Sequence, residues 1–150
     1  MKRENGFTLI ELIIVVSILS ILLCIVMPSF HLPERVILRN AAQELKMSIR
    51  YTQKRAIQDG KKYWLRFYDS QNLYIISSNA FGTPLKRVQL SPDIKMEEIV
   101  FSTPKEIKFT VKGTTGSGGH LYLKSKNFKV KITVMPGTGR VKIYEIQKVN

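Results

Sequence analysis

From Phe7 to Met27 the chain runs 21 residues with one charge, Glu11. Wound as a helix, such a run is about 31 Å long at 1.5 Å per residue, which matches the hydrocarbon core of a bilayer. A helix that is apolar on every side must be covered on every side. A chain of 150 residues has too little else to cover it, so the pattern predicts a membrane span. The period then changes. Between Glu34 and Asp59, Leu38, Ala41 or Ala42, Leu45, Ile49, Thr52 and Ala56 recur at helical spacing, and Gly60 supplies a stop, which predicts one amphipathic helix over 34–59. From Lys61 the period is two. Lys62–Tyr68 and Asn72–Ile76 flank Asp69-Ser70-Gln71 as a β-hairpin, and further strands are expected at 85–90, 94–101, 106–112, 120–124, 128–135 and 140–146. Ile107, Phe109 and Val111 alternate, as do Phe128, Val130, Ile132 and Val134; Lys108, Lys112, Lys129 and Lys131 point the other way, giving one core face and one basic, wet face. The expected class is α+β.

Composition adds where the charge sits. The chain carries 24 Lys plus Arg against 11 Asp plus Glu, net +13, and 44% of its residues are hydrophobic, which excludes disorder of the whole. Removing Lys2, Arg3, Glu4 and Glu11 leaves 22 cations and 9 carboxylates, so residues 31–150 hold the entire net charge. One cysteine, Cys24, and two histidines, His31 and His120, exclude a disulfide scaffold and a zinc cage.

The apolar run ends Val26-Met27-Pro28-Ser29-Phe30-His31, without the small-x-small pattern of a cleaved secretory signal. Bulky Leu23 before a deeply placed Cys24 argues against lipidation. Glu11 stands out, because a carboxylate at the centre of a span costs roughly 2.5–3.5 kcal/mol, less near a helix end. It needs a partner. Gly6 separates the polar leader Met1–Asn5 from Phe7; a cut after Gly6 would give Phe7 a cationic amine, with Glu11 four residues on along the same face.

Lys2-Arg3-Glu4-Asn5-Gly6-Phe7-Thr8-Leu9-Ile10-Glu11-Leu12 resembles the signature of type IV prepilins and type II secretion pseudopilins, a short basic leader followed by G-F-T-L-I-E-L and an apolar helix. The resemblance implies that prepilin peptidase removes residues 1–6 by cutting between Gly6 and Phe7 and N-methylates Phe7. It implies that Glu11 neutralises the new amine of a neighbouring subunit in a filament, and that the helix kinks or melts at Pro28. It also implies orientation, which Lys2 and Arg3 against Arg35 and Arg39 leave open: a single pass of the cytoplasmic membrane over 7–30, cytoplasmic N-terminus, and an extracytoplasmic domain over 31–150.

A narrower resemblance covers most of the chain. Arg39–Leu45, Arg50-Tyr51-Thr52-Gln53, Ala56-Ile57, Phe109-x-x-x-Gly113, Gly118–Leu121 and Gly139-Arg140-Val141 look like the GspH/FimT minor pseudopilins, ComGD-like competence pseudopilins in particular. The implied fold is type IV pilin-like, a long N-terminal helix packed on antiparallel β-structure. The implied role is that of a filament subunit in DNA uptake or protein secretion.

No constellation for catalysis is present, and neither a cofactor nor a metal is expected: Gly113–Gly119 lacks the lysine and hydroxyl of a phosphate loop and reads as a flexible strand connection. Arg39, Gln43, Lys46, Arg50 and Lys54 draw a basic stripe on the amphipathic helix, which a solvated face would also explain. Some FimT-type pilins bind DNA through G-R-x-R. The matching Gly139-Arg140-Val141-Lys142 ends in lysine, a point charge in place of a bidentate fork. Arg140, Lys142 and Tyr144 on one strand, with Lys129 and Lys131, are the candidate contacts for nonspecific DNA binding.

Overall fold

The computed structural model describes residues 8–26, 33–79, 83–116 and 118–149. They divide into two compact units, Met1–Pro33 and Glu34–Asn150. Leader, cleavage site, Phe7, Pro28 and the rest of 27–32 lie outside the described residues.

The first unit is α1, Leu9–Val26. Thr8 caps it: the Glu11 amide donates to the Thr8 carbonyl at 3.1 Å and to Thr8 Oγ1 at 3.4 Å. The Thr8 side chain thus makes an N-cap bond to the amide three residues on, at a T-x-x-E spacing. The Ser17 and Ser20 hydroxyls donate to the carbonyls of Ile13 and Val16, at 2.7 and 2.8 Å, so neither brings an unmet donor into the apolar surface. Among the described residues no helix is long and apolar enough to cross a membrane. α1 has 18 residues, about 27 Å, and falls just short of a ~30 Å core.

The second unit is built on α2, Glu34–Gln58. Leu38, Ala42, Leu45, Ser48, Ile49, Thr52 and Ala56 are buried along one face. β1 (Tyr63–Tyr68), β2 (Leu73–Ser77), β3 (Pro84–Gln89) and β5 (Glu106–Phe109) form an antiparallel sheet in the order β3-β2-β1-β5. β4 (Lys95–Phe101), β6 (Gly119–Lys124), β7 (Phe128–Val134) and β8 (Val141–Ile143) form a second, and β9 (Gln147–Lys148) pairs with the start of β7. α2 packs against both, on β1 and β5 of the first sheet and β6, β7 and β8 of the second. Leu65, Ile107, Phe109, Leu121, Leu123, Ile132 and Val134 meet it in one fully buried core. At its N-terminus Glu34 accepts from the Asn127 amide at 2.7 Å and Asn127 Nδ2 at 2.9 Å. Hydrogen bonds from Ser125 and then Asn127 hold its carboxyl below the ordinary value.

Three expectations are corrected. The strand expected over 106–112 stops at Phe109, and Val111 is 45% exposed. A turn intervenes, with the Gly113 amide bonded to the Thr110 carbonyl and Gly113 at φ 74°. The strand expected over 140–146 is the three-residue β8. Beyond it the pairing partner of β7 shifts by one position, from Ile132↔Ile143 to Lys129↔Gln147. The glycine-rich segment is more than a flexible connection. Thr115, 2% exposed, bridges Phe109 of the first sheet to Gly137, just past β7 of the second, and so joins the two sheets.

Candidate functional site

Glu11 is exposed in the first turn of α1, and the large apolar residues from Leu9 to Leu22 are 48–78% exposed around the whole helix. A surface this apolar is stable only when lipid or other helices cover it. The resemblance assigns Glu11 a charge role; the structure shows its backbone amide, which any residue would supply, in the Thr8 cap.

The motif residues of the narrower resemblance converge on one side chain. Gln53 Nε2 donates to the Gly113 carbonyl at 2.7 Å and to the Thr138 carbonyl at 2.9 Å, clipping α2 to the turn after β5 and to the β7–β8 turn. Gly139 lies beside it at φ 65°, and a Cβ there would sit 2.6 Å from the Phe109 ring and 3.2 Å from Gln53 Nε2. Replacing Gln53 with alanine removes both bonds and is expected to cost about 2 kcal/mol, roughly 1 per bond. Chemical denaturation of the variant measures it.

The cationic candidates fall on two surfaces. Tyr144 N–H bonds to the Lys131 carbonyl and Lys142 pairs with Thr133, so ladder alternation puts Lys142 and Tyr144 on the face shared with Lys129 and Lys131, opposite the buried Val130 and Ile132. There Lys129 and Lys131 Nζ each lie 5.6 Å from the centre of the Tyr122 ring, and Lys142 Nζ lies 4.6 Å from that of Tyr144. The alternation predicts a basic face here with Tyr144 on it; the Tyr122 ring between Lys129 and Lys131 is added by the structure. Arg140 stands apart in the turn before β8, its amide donating to Thr138 Oγ1 and its carbonyl accepting from Met135. It lines an open groove of about 970 Å³ together with Arg39, Gln43, Lys46 and Arg50 of the α2 stripe.

The prokaryotic N-terminal methylation motif matches residues 1–27. The competence protein ComGD of Bacillus subtilis is 29% identical over 146 residues, 95% of each chain. Two solved structures share the fold. The type IV minor pilin FimU of Pseudomonas aeruginosa has a TM-score of 0.61 at 17% identity, over 75% of this chain and 91% of that one. The type II secretion minor pseudopilin EpsH of Vibrio cholerae has a TM-score of 0.58 at 13% identity, over 71% and 95%. The fold is type IV pilin-like, α+β, with a helix followed by antiparallel sheets. In fold and in its N-terminal motif the chain is similar to the minor pilins and pseudopilins of the type IV pilin class, and it aligns with one competence protein over 95% of its length.

Proposed function

We propose that the chain is a membrane-anchored minor subunit of a DNA-uptake filament. Prepilin peptidase matures it by cutting between Gly6 and Phe7, and the Phe7 amine is methylated. The observation that carries this reading is the methylation motif over residues 1–27, overlapping an apolar helix whose one charge is Glu11. The likeness to ComGD, a competence protein, favours DNA uptake over secretion. The span then needs Phe7 and residues 27–30 in addition to α1; Pro28 ends or bends it, and other subunits of the filament cover α1 after assembly.

Mass spectrometry of the chain co-expressed with prepilin peptidase is expected to show 144 residues beginning at N-methylated Phe7; recovery of an uncut chain refutes the reading. Glu11→Gln tests the charge role of that residue. Glutamine keeps the size and polarity of the side chain but cannot neutralise an amine. The variant should be processed normally and still fail to enter filaments, whereas assembly at the parent level would refute the charge role of Glu11.

A second reading adds nonspecific DNA contact through Lys129, Lys131, Lys142 and Tyr144, with Arg140 at the margin. Three ammonium groups within 6 Å of two tyrosine rings favour it, since phosphates and unstacked bases match that pattern. Gel shifts with single-stranded DNA at several salt concentrations should lose affinity as salt rises. Changing the three lysines to glutamine should reduce the log–log salt slope by about 2, at roughly 0.7 per phosphate contact. No binding at low salt would dismiss this reading.

A further inference from the structure

The groove beside β8 has features that a surface for nucleic acid does not need. Arg35, Arg39, Gln43, Lys46 and Arg50 form its α2 wall, and the segment from Arg140 to Ile146 forms the other. Along α2 the distance from Arg35 to Arg50 is about 22 Å, the length of a strand of six or seven residues. Arg35, Arg39, Lys46, Arg50, Arg140 and Lys142 line the groove without a carboxylate within ion-pair distance among the described residues, and Glu145 is the one acid in its walls.

β8 is an edge strand. Hydrogen-bonded pairs alternate along an antiparallel ladder, and Met135–Arg140 and Lys131–Tyr144 are such pairs. Thr133–Lys142 is therefore another, and the amides and carbonyls of Val141 and Ile143 point away from β7. Neither residue has a hydrogen bond on that side among the described residues. Val36, Met135 and Tyr144, all 38–45% exposed, add apolar surface to the same groove.

We infer that this groove binds an extended acidic polypeptide segment of another protein, which adds as a strand to the free edge of β8. The main-chain donors and acceptors of Val141 and Ile143 recognise a polypeptide backbone; a nucleic acid has no complementary ladder. The cations select acidic side chains along the added strand, and the exposed apolar residues receive its alternate side chains. A second copy of this chain is a poor occupant, because each carries a net charge of +13. The inference does not depend on DNA binding: the groove shares Lys142 and Tyr144 with the Tyr122 face, but its α2 wall and the free edge of β8 lie outside that face.

The test uses the full chain in detergent micelles with a seven-residue capped peptide, Glu-Val-Glu-Ile-Glu-Val-Glu, observed by amide NMR and hydrogen exchange. Binding should slow exchange at Val141 and Ile143 about tenfold or more, since those amides gain partners. Methylating alternate peptide amides should abolish binding, while Arg39→Glu with Arg50→Glu should weaken it about tenfold or more. A Lys-for-Glu peptide should not bind. Undiminished binding of the N-methylated peptide, no binding of the parent peptide at low salt, or protection of Val141 and Ile143 by oligothymidine alone would each overturn the inference. Loss of processing at Gly6 would leave these readouts unchanged, so failure of the filament reading is separately visible.

Discussion

Gly139→Ala is expected to destabilise the domain by about 3 kcal/mol. Roughly 1 kcal/mol comes from forcing a residue with a Cβ to hold φ 65°, and about 2 from inserting a methyl into a filled space. That methyl would sit 2.6 Å from the ring of Phe109, which is fully buried and shares a β-bridge with Thr115. Displacing the ring disturbs the point where the two sheets join, and the same methyl crowds the Gln53 amide. A double-mutant cycle isolates the clash. Phe109→Leu alone should cost about 1 kcal/mol, and in its background Gly139→Ala should cost only about 1–2, because the obstructing ring is gone. Strict additivity in urea titrations would remove the ring from the explanation and leave only the backbone term.

Tyr74 should set the alkaline limit of stability. Its side chain is fully buried and its hydroxyl lies 2.9 Å from Ser48 Oγ. Burial pushes its pKa up to about 12 from 10.0; the Ser48 bond pulls it down, and Glu44 adds to the rise. The folded state therefore holds this proton more tightly than the unfolded chain does. The resulting stability is complete below pH 10 and is lost as pH rises towards 12, by at most about 2.7 kcal/mol for two pH units. Tyr74→Phe cannot ionise there. At pH 7 it should be less stable than the parent by about 1 kcal/mol, the worth of the lost Ser48 bond, and by pH 12 the order should reverse. Denaturation curves of the two proteins between pH 7 and 12 check this. Curves that stay parallel would show that some other group governs alkaline unfolding; lysine titration acts on both proteins alike.

Much of the architecture was legible because it depends on near neighbours. The buried face of α2 follows the three- and four-residue spacing of Leu38, Ala42, Leu45 and Ile49, which any helix would bring to one side. Val130, Ile132 and Val134 face inward by simple alternation, which also puts Lys129 and Lys131 outward. The reading failed where a turn broke the local rule. Val111 continues the alternation of Ile107 and Phe109 in the sequence, but Gly113 at φ 74° turns the chain before it can pair. Arg140 and Lys142 keep one ladder register, opposite Met135 and Thr133, but the strand expected from 140 begins only at Val141, with Arg140 in the turn before it.

The sequence by itself determined the N-terminal motif with its lone Glu11, the location of the positive charge beyond residue 30, and the helix-then-strands order of an α+β pilin-like fold. Each of these is carried by covalent order or by residues at most four apart. Only the tertiary structure decided that the strands divide into two sheets, that Thr115 and Gln53 hold those sheets and α2 together, and that the stripe on α2 and the edge of β8 enclose one basic groove. Those features join residues as distant as Gln53 and Thr138, 85 positions apart. Period and propensity cannot register such pairs, since they form only when burial of the shared core brings the segments into contact.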